Sequence, residues 1–170
     1  MLSIRQEMPR DVSAIHDLNV AAFAQSTEAD IVDSLRGAGA LRHSLVAVDG
    51  DEIVGHLAFS PVTITEGSRV VDALGLGPMA ISPSRQRQGI GTRLVNFWLE
   101  QLAEDKDNLV VLVGHPDYYP RFGFRRAKAF GIRWEHDVPE EAFMVLELRR
   151  GALDKISGVV RFHPVFDEVE

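Results

Sequence analysis

The chain contains two tyrosines, Tyr118 and Tyr119, and they stand side by side shortly after His115. A phenol has a pKa of about 10, so it stays protonated at neutral pH and can donate a proton to a departing group. The alternative is a structural role, in which one ring packs and the other faces water. The imidazole of His115 has a pKa of about 6.5 and could accept a proton. This segment therefore offers a candidate acid and a candidate base.

A second candidate site is the segment 82–93, which joins a predicted strand to a predicted helix. Its glycines Gly89 and Gly91 fall at the helix start, where backbone N–H groups and the helix dipole favour an anion. Glycine also lets a phosphate approach without a Cβ in the way. Three arginines cluster there, namely Arg85, Arg87 and Arg93. The positive end of the helix dipole repels these arginines, and a bound polyanion would offset that repulsion. The alternative is an ordinary turn with solvated arginines.

Other phosphate-binding motifs are excluded. The chain has no Gly-Lys-Ser/Thr sequence, so it lacks a P-loop. Residues 75–80 read Gly-Leu-Gly-Pro-Met-Ala, which superficially fits a dinucleotide-binding pattern. However, Ser82 and Pro83 follow directly, so no helix begins there to receive a pyrophosphate.

The composition excludes several classes of protein. Lys and Arg number 18 and Asp and Glu 25, and the net charge of −7 argues against a general nucleic-acid binder. Cysteine is absent, so disulfides, thiolate metal sites and cysteine nucleophiles are excluded. The histidines show no His-Glu-x-x-His pattern, and we expect no metal. Without a signal-like start or a long apolar run, the 170 residues are expected to form one soluble, cytoplasmic domain that does not bind membranes.

The elements around these candidates follow from periodicity and turn signals. Asp49-Gly50 predicts a hairpin, Thr27 is predicted to cap a helix that Gly37 ends, and the run 75–78 predicts a bend or bulge in its strand. The predicted strands are Leu2–Gln6, 44–48, 53–60, 70–81, Leu109–Val113, Ile132–Trp134 and 143–148, and the predicted helices are 12–23, 28–36 and 91 to about 104. Helices mixed with a largely hairpin-connected sheet indicate a mixed α/β fold.

The segment 86–91, Gln-Arg-Gln-Gly-Ile-Gly, resembles the Q/R-x-x-G-x-G/A signature of the GCN5-related N-acetyltransferases, and residues 76–83 resemble the strand before it. The resemblance implies that backbone amides of this loop hold the pyrophosphate of acetyl-CoA, and that Met79 and Ile81 pair with its pantetheine arm. The implied cofactor-binding residues are Met79, Ile81, Gln86, Arg87, Gln88, Gly89, Ile90, Gly91 and Thr92.

The segment Tyr119-x-x-x-Gly123-Phe124 resembles a second motif of this family, Y-x-x-x-G-F, at a typical distance from the first. The resemblance implies that Tyr119 is the general acid that protonates the departing thiolate. Many members place an asparagine shortly before this tyrosine, whereas here the segment 112–115 reads Leu-Val-Gly-His. The resemblance extends from residue 4 to about residue 166 and implies a mostly antiparallel central sheet flanked by helices.

The implied activity is N-acetyltransfer from acetyl-CoA to a primary amine, by direct transfer in a ternary complex. A general base is still needed, and His115, Asp72 and His56 are candidates. The alternative function is a non-catalytic acyl-CoA-binding sensor. The whole chain, 1–170, would form one N-acetyltransferase domain, with its signature region at about 70–125 and a C-terminal extension at about 126–170.

The sequence does not decide whether the acceptor is a small-molecule amine or a protein amine. It also leaves open whether the protein forms a homodimer. The residues Glu135-His136-Asp137 and Glu140-Glu141 form an acidic patch. A solvated surface is the default interpretation of such a patch. If it is functional, it would attract a cationic acceptor such as a polyamine, an aminoglycoside or a lysine side chain.

Overall fold

The computed structural model describes residues 1–103 and 108–168. The strands are β1 Leu2–Gln6, β2 His43–Asp49, β3 Glu52–Glu66, β4 Arg69–Ile81, β5 Leu109–Val113, β6 Arg125–Arg126, β7 Ile132–Trp134, β8 Phe143–Glu147 and β9 Gly158–Arg161. The helices are α1 Val12–Phe23, α2 Thr27–Gly37, α3 Ile90–Gln101 and α4 Val165–Glu168. The predicted end of the third helix, near Glu104, lies outside the described residues. None of the described helices is long and apolar enough to cross a membrane.

The chain forms two compact units. The first contains Met1–Ser60, Gly77–Leu102 and the residues from His163 onward, and the second contains Pro61–Leu76 and Ala103–Phe162. Strands β3 and β4 each contribute residues to both units. Most strand pairs are antiparallel, so the predicted mixed α/β fold with a mostly antiparallel sheet and flanking helices is confirmed.

In the first unit, β1 pairs with β2 and β2 pairs with β3, both antiparallel, and the predicted hairpin turns at Gly50. Helix α3 packs close to β3 because Gly55 has no side chain. A Cβ at Gly55 would lie 2.9 Å from Cγ2 of Ile90 and 3.2 Å from Cδ1 of Leu94. Phe59 and Trp98 stack nearby, with ring centroids 4.3 Å apart. Apolar contacts therefore fix the first turns of α3 against the sheet.

Two details of the first unit differ from the sequence-based expectation. Thr27 is the first residue of α2 and not its cap, because the helical hydrogen bonds already begin at Ser26, whose carbonyl accepts the N–H of Asp30 at 2.8 Å. Strand β3 continues beyond its predicted end at Ser60, because Thr63–Thr65 gain a distant partner in β9. A local pattern interrupted by Pro61 could not reveal that partner.

In the second unit the strand order is β7-β9-β3-β4-β5-β8-β6. Strand β5 is parallel to β4 and antiparallel to β8, and four of its five residues are buried, as its unbroken apolar run predicts. The core of the second unit includes Leu109, Val111, Phe143 and Val145. Residues 75–80 lie within β4, which agrees with the rejection of a dinucleotide motif, and Gly77 has a left-handed φ of +129° at the predicted bend.

A chain of polar side chains is buried in the first unit. His56 is 0% exposed, and its Nε2 lies 2.8 Å from Oγ of Ser44, which in turn donates to Glu7. Asn19 donates from Nδ2 to Nδ1 of His56 at 3.4 Å. These directions are mutually consistent only if His56 is neutral with its proton on Nε2. Burial would raise the pKa of Glu7, but hydrogen bonds from Arg36 and Ser44 lower it instead.

Acid should destabilise the protein through this buried histidine. Burial lowers the pKa of His56 from 6.5 to about 4. The unfolded chain therefore binds a proton near pH 6.5 that the folded chain resists until about pH 4. Through His56, the free energy of unfolding therefore falls by on the order of 3 kcal/mol as the pH decreases from 6.5 toward 4.

Urea unfolding at pH 7 and pH 5, followed by circular dichroism, measures this loss. His56→Gln removes the titrating group and should flatten the dependence, whereas His115→Gln, at an exposed position, should leave it unchanged. An equally steep loss of stability in His56→Gln would assign the effect to other groups.

Candidate functional site

The loop before α3 has the backbone conformation of an anion-binding turn. After a 3-10 helix at Pro83–Arg85, Arg87 has φ +63° and Gly89 has φ +82°. Such alternation of backbone conformation turns successive N–H groups toward one side. The first hydrogen bond of the α3 ladder runs from the N–H of Arg93 to the carbonyl of Gly89, at 3.0 Å. The amides of residues 90–92 precede that bond and lie at the positive end of the helix dipole.

The predicted cofactor-binding residues all lie in the first unit, along this loop and the end of β4. Gln86 donates to the carbonyl of Ile81 at 3.3 Å and Gln88 donates to the carbonyl of Ser84 at 3.4 Å, so both side chains brace the loop. Ile90 is 2% exposed and anchors it in the core. Met79 and Ile81 are half-buried and lie on the same face of β4. Gly91 and Thr92 fall in the first turn of α3.

The three arginines near the loop have different surroundings. Arg85 pairs with Asp49 at 2.9 Å and donates to Gln88 at 3.2 Å, so it holds the loop to the β2–β3 hairpin. The hydrogen bond that Arg85 donates to Asp49 lowers the pKa of Asp49. Arg93 donates to the carbonyl of Leu2 at 3.2 Å. Arg87 is exposed, and among the described residues no acidic side chain pairs with it. Arg87 is thus the member of this group best placed to meet an incoming anion.

In the second unit, Tyr119 begins a 3-10 helix, Tyr119–Phe122, and is 8% exposed. Its ring contacts those of Tyr118 and Phe124, with centroids 5.0 Å and 5.9 Å away. Burial raises the pKa of Tyr119 to about 12, with a smaller contribution from Tyr118. The phenol is therefore neutral across the physiological range and available as a proton donor.

Gly114 is required where this ring lies against the backbone. A Cβ at Gly114 would be 2.5 Å from Cε2 of Tyr119, a distance no real contact reaches. The N–H of Gly114 donates to the carbonyl of Ala142 at 2.9 Å, which holds the segment at the end of β5. Glycine here thus positions the tyrosine, a role that the sequence does not reveal because it depends on a ring that reaches Gly114 only in the fold.

The candidate bases lie in different surroundings. His115 is exposed, close in sequence to Tyr119, and its carbonyl accepts the N–H of Tyr118 at 3.2 Å. The N–H of Tyr119 lies 3.5 Å from the same carbonyl, so His115 and Tyr119 belong to one backbone turn. Asp72 is exposed on β4, whereas His56 is enclosed in the polar chain of the first unit. A group that is 0% exposed cannot contact a substrate without a rearrangement, so His56 has a structural role in this conformation.

Strand β5 has an open side near Tyr119. It pairs with β8 along its whole length, but among the described residues its pairing with β4 is confined to Val110 and Val111. Toward the end of β5, the register with β4 therefore stops before Leu112 and Val113, and Val113 is 42% exposed. Such a strand edge can hydrogen-bond an extended, amide-containing ligand.

A cavity that the sequence did not predict lies elsewhere in the second unit. Its volume is about 400 Å³, and its walls include Trp134, Val138 and Phe143, with Asp137 and Glu140 among the charged residues. The sequence showed the acidic residues of this region as a patch. It could not show the aromatic wall, because Trp134 and Phe143 come from two strands and meet only in the fold, with ring planes inclined by 17°.

Within the first unit, one group of described side chains has ligand atoms at metal-binding distances. His16, Asp30 and Asp33 place these atoms within 4.8 Å of one another. However, Nδ1 of His16 already pairs with Asp33 at 2.7 Å, and Asp33 also pairs with Arg36 at 3.1 Å. Two of the three side chains, His16 and Asp33, are thus already engaged with each other or with Arg36.

Comparison with known proteins identifies the family. Residues 3–127 match the family model of an acetyltransferase (GNAT) domain. The uncharacterised N-acetyltransferase YhbS of Escherichia coli K12 is 34% identical over 165 residues, which cover 96% of this chain and 98% of YhbS.

Two solved structures are similar over nearly the whole chain. YhbS from Escherichia coli in complex with CoA superposes with a TM-score of 0.90, at 34% identity, covering 98% of this chain and 92% of that chain. A GNAT family acetyltransferase from Brucella melitensis in complex with acetyl-CoA has a TM-score of 0.81, at 36% identity, covering 98% and 99%. The resemblance seen in the two sequence motifs is thereby confirmed, and this chain belongs to the GNAT family of N-acetyltransferases.

Proposed function

We propose that this protein transfers an acetyl group from acetyl-CoA to a primary amine by direct attack in a ternary complex, with Tyr119 as the general acid. The observation that carries this proposal is the buried, neutral phenol of Tyr119 beside the open end of β5. A phenol at this place can protonate a thiolate expelled there. The similar structures that contain CoA and acetyl-CoA support this choice of co-substrate.

The loop before α3 would bind the pyrophosphate of acetyl-CoA. Its support is the pair of amides at residues 90 and 91, the left-handed backbone at Arg87 and Gly89, and the exposed guanidinium of Arg87. Backbone donors at a helix N-terminus suit phosphate oxygens. The pantetheine arm would be held by strand backbone, for which Met79 and Ile81 on β4 are the proposed partners.

The reaction balances without a covalent enzyme intermediate. The lone pair of the neutral amine attacks the carbonyl carbon of the thioester and forms the new C–N bond. As the tetrahedral intermediate collapses, the C–S bond breaks and its electrons stay on sulfur, which takes the proton of Tyr119. The nitrogen loses one proton, for which His115 is the proposed acceptor directly or through water. Solvent then restores the protonation states, and the products are the acetamide, CoA and one proton if the amine arrives as ammonium.

The alternative, a non-catalytic acyl-CoA sensor, makes a different use of the same features. A sensor needs the phosphate-binding loop but gains nothing from a neutral phenol buried at the end of β5. The two functions are distinguished by release of free CoA in the presence of amines, measured with a thiol reagent. Saturable CoA release that depends on the amine supports the enzyme, whereas acetyl-CoA binding without release by any amine of a broad panel supports the sensor.

Replacing Gly89 with alanine should weaken acetyl-CoA binding about tenfold or more, because a side chain at φ +82° distorts the loop and places a Cβ at the anion. Calorimetric titration with acetyl-CoA measures the effect. Gly67→Ala is a matched control, since Gly67 has φ +59° and, like Gly89, has open space where a Cβ would stand. An equal loss of affinity in both variants, or in neither, would contradict the role of this loop.

Replacing Arg87 with alanine should weaken CoA binding about two- to fivefold at low salt and make it less sensitive to salt, because one exposed charge near the phosphates is lost. The dissociation constant at low and high ionic strength measures both effects. Arg150→Ala removes another exposed arginine and should change neither. If Arg87→Ala retains the affinity and salt dependence of the wild type, Arg87 is only a solvated surface residue.

Replacing Tyr119 with phenylalanine should lower kcat by about 10²–10⁴ while the dissociation constant of acetyl-CoA stays unchanged. The ring and its contacts remain, so only the proton donor is lost. Tyr118→Phe is the matched control and should be nearly silent. The assay is CoA release with an amine for which chemistry limits the rate. Full activity of Tyr119→Phe would remove Tyr119 as the acid, and loss of activity in Tyr118→Phe alone would transfer that role to its neighbour.

A further inference from the structure

We propose that the cavity lined by Trp134, Val138 and Phe143 is the acceptor site, and that its substrate is a monoamine with an aromatic body. We call it the Trp134 cavity. This inference rests on the proposed function and names the acceptor class for it. The volume of about 400 Å³ lies within the range of small-molecule sites, roughly 300–1,000 Å³. All of its lining residues belong to the second unit, which also contains Tyr119.

One wall residue of the cavity, Phe143, is paired with the end of β5. Phe143 lies directly opposite Val113 in the β5–β8 register, and the preceding residue, Ala142, accepts the N–H of Gly114 at 2.9 Å. Tyr119 rests on Gly114 at the distance that excludes a Cβ. A short run of bonded neighbours therefore joins the wall of the cavity to the proposed acid.

The cavity and Tyr119 lie on opposite faces of this part of the sheet. Phe143 shares a core cluster with Val111, which places both on one face of the β5–β8 pair. Leu112 alternates with Val111 and, like Tyr119, approaches Gly114 from the other face. An amine in the cavity would thus approach a thioester at the end of β5 from one side, while the sulfur takes its proton from the other.

The walls favour an aromatic body. The rings of Trp134 and Phe143 are nearly parallel, with centroids 6.5 Å apart. The imidazole of His136 and the ring of Trp134 form a T-shaped pair with centroids 4.9 Å apart. Aromatic rings bind one another beyond the gain from buried area alone. Val138 adds a further apolar side chain to this wall.

The charges favour one amine and not several. Glu140 is already paired with Lys128, so the remaining full charges in the lining are Asp137 and Arg133, one of each sign. Among the described residues, Asp137 is the lining carboxylate for which no ion pair is found. A polyamine or an aminoglycoside would bring several positive charges to a cavity that can balance only one. Apolar walls also favour the neutral amine, which is the form that attacks.

The test uses phenethylamine as the probe, with butylamine and spermidine as comparison amines. In the CoA-release assay we expect kcat/KM for phenethylamine to exceed those for the other two amines by at least about tenfold. Val138→Trp fills the cavity and should raise the KM for phenethylamine by a similar factor without changing the dissociation constant of acetyl-CoA. Val70→Trp is the matched control, because Val70 is 59% exposed on β4 and lies outside the cavity lining.

A second measurement does not depend on turnover. The chain has two tryptophans, and Trp98 is 1% exposed in the first unit, so a change of tryptophan fluorescence on adding phenethylamine should come from Trp134. Trp134→Phe should abolish the change. If phenethylamine alters the fluorescence but no amine releases CoA, the ligand class of the cavity stands and the proposed function fails. If amines release CoA but Val138→Trp leaves every KM unchanged, or spermidine is preferred, the cavity is not the acceptor site and the proposed function stands.

Discussion

Backbone hydrogen-bonding groups without a partner are the constraint on which the proposed site depends. In a folded protein nearly all such groups are paired with the chain, with water or with a ligand. Among the described residues, regular pairing stops at two stretches: the amides of residues 90 and 91 at the start of α3, and the end of β5 beyond Val111. Neither stretch carries a side chain that could be recognised as catalytic. Both follow from where regular structure stops; the first suits phosphate oxygens, and the second suits an extended ligand that contains amides.

Glycines at three places keep these stretches open and correctly oriented, each for a different reason. Gly55 removes a side chain from β3 so that Ile90 can pack there, which fixes the helix whose first amides would hold the anion. Gly89 supplies the left-handed backbone before that helix. Gly114 lets the ring of Tyr119 rest on the end of β5. A methyl group would therefore disturb packing at the first, backbone conformation at the second and the position of Tyr119 at the third.

The local elements and the two motifs were predictable from the sequence, because each depends on neighbours in the chain. The hairpin at Gly50, the buried run of β5 and the helix that follows Gly89 all depend on short-range signals of this kind. What depended on distant partners was not predictable. Strand β3 is longer than its own pattern allows because β9 pairs with it, and the aromatic wall exists only because β7 and β8 bring Trp134 and Phe143 together.

The same distinction applies to the charged residues near the loop. As a sequence, Arg85, Arg87 and Arg93 are equivalent members of one cluster around a helix start. In the fold, Asp49 neutralises the first and the backbone of β1 engages the third, so the cluster divides into two structural arginines and one exposed charge. Arg87 also adopts the left-handed backbone that ordinarily favours glycine. Its position beside the amides at the start of α3, together with its exposure, is what distinguishes Arg87 from the other two arginines and is the basis of its proposed role.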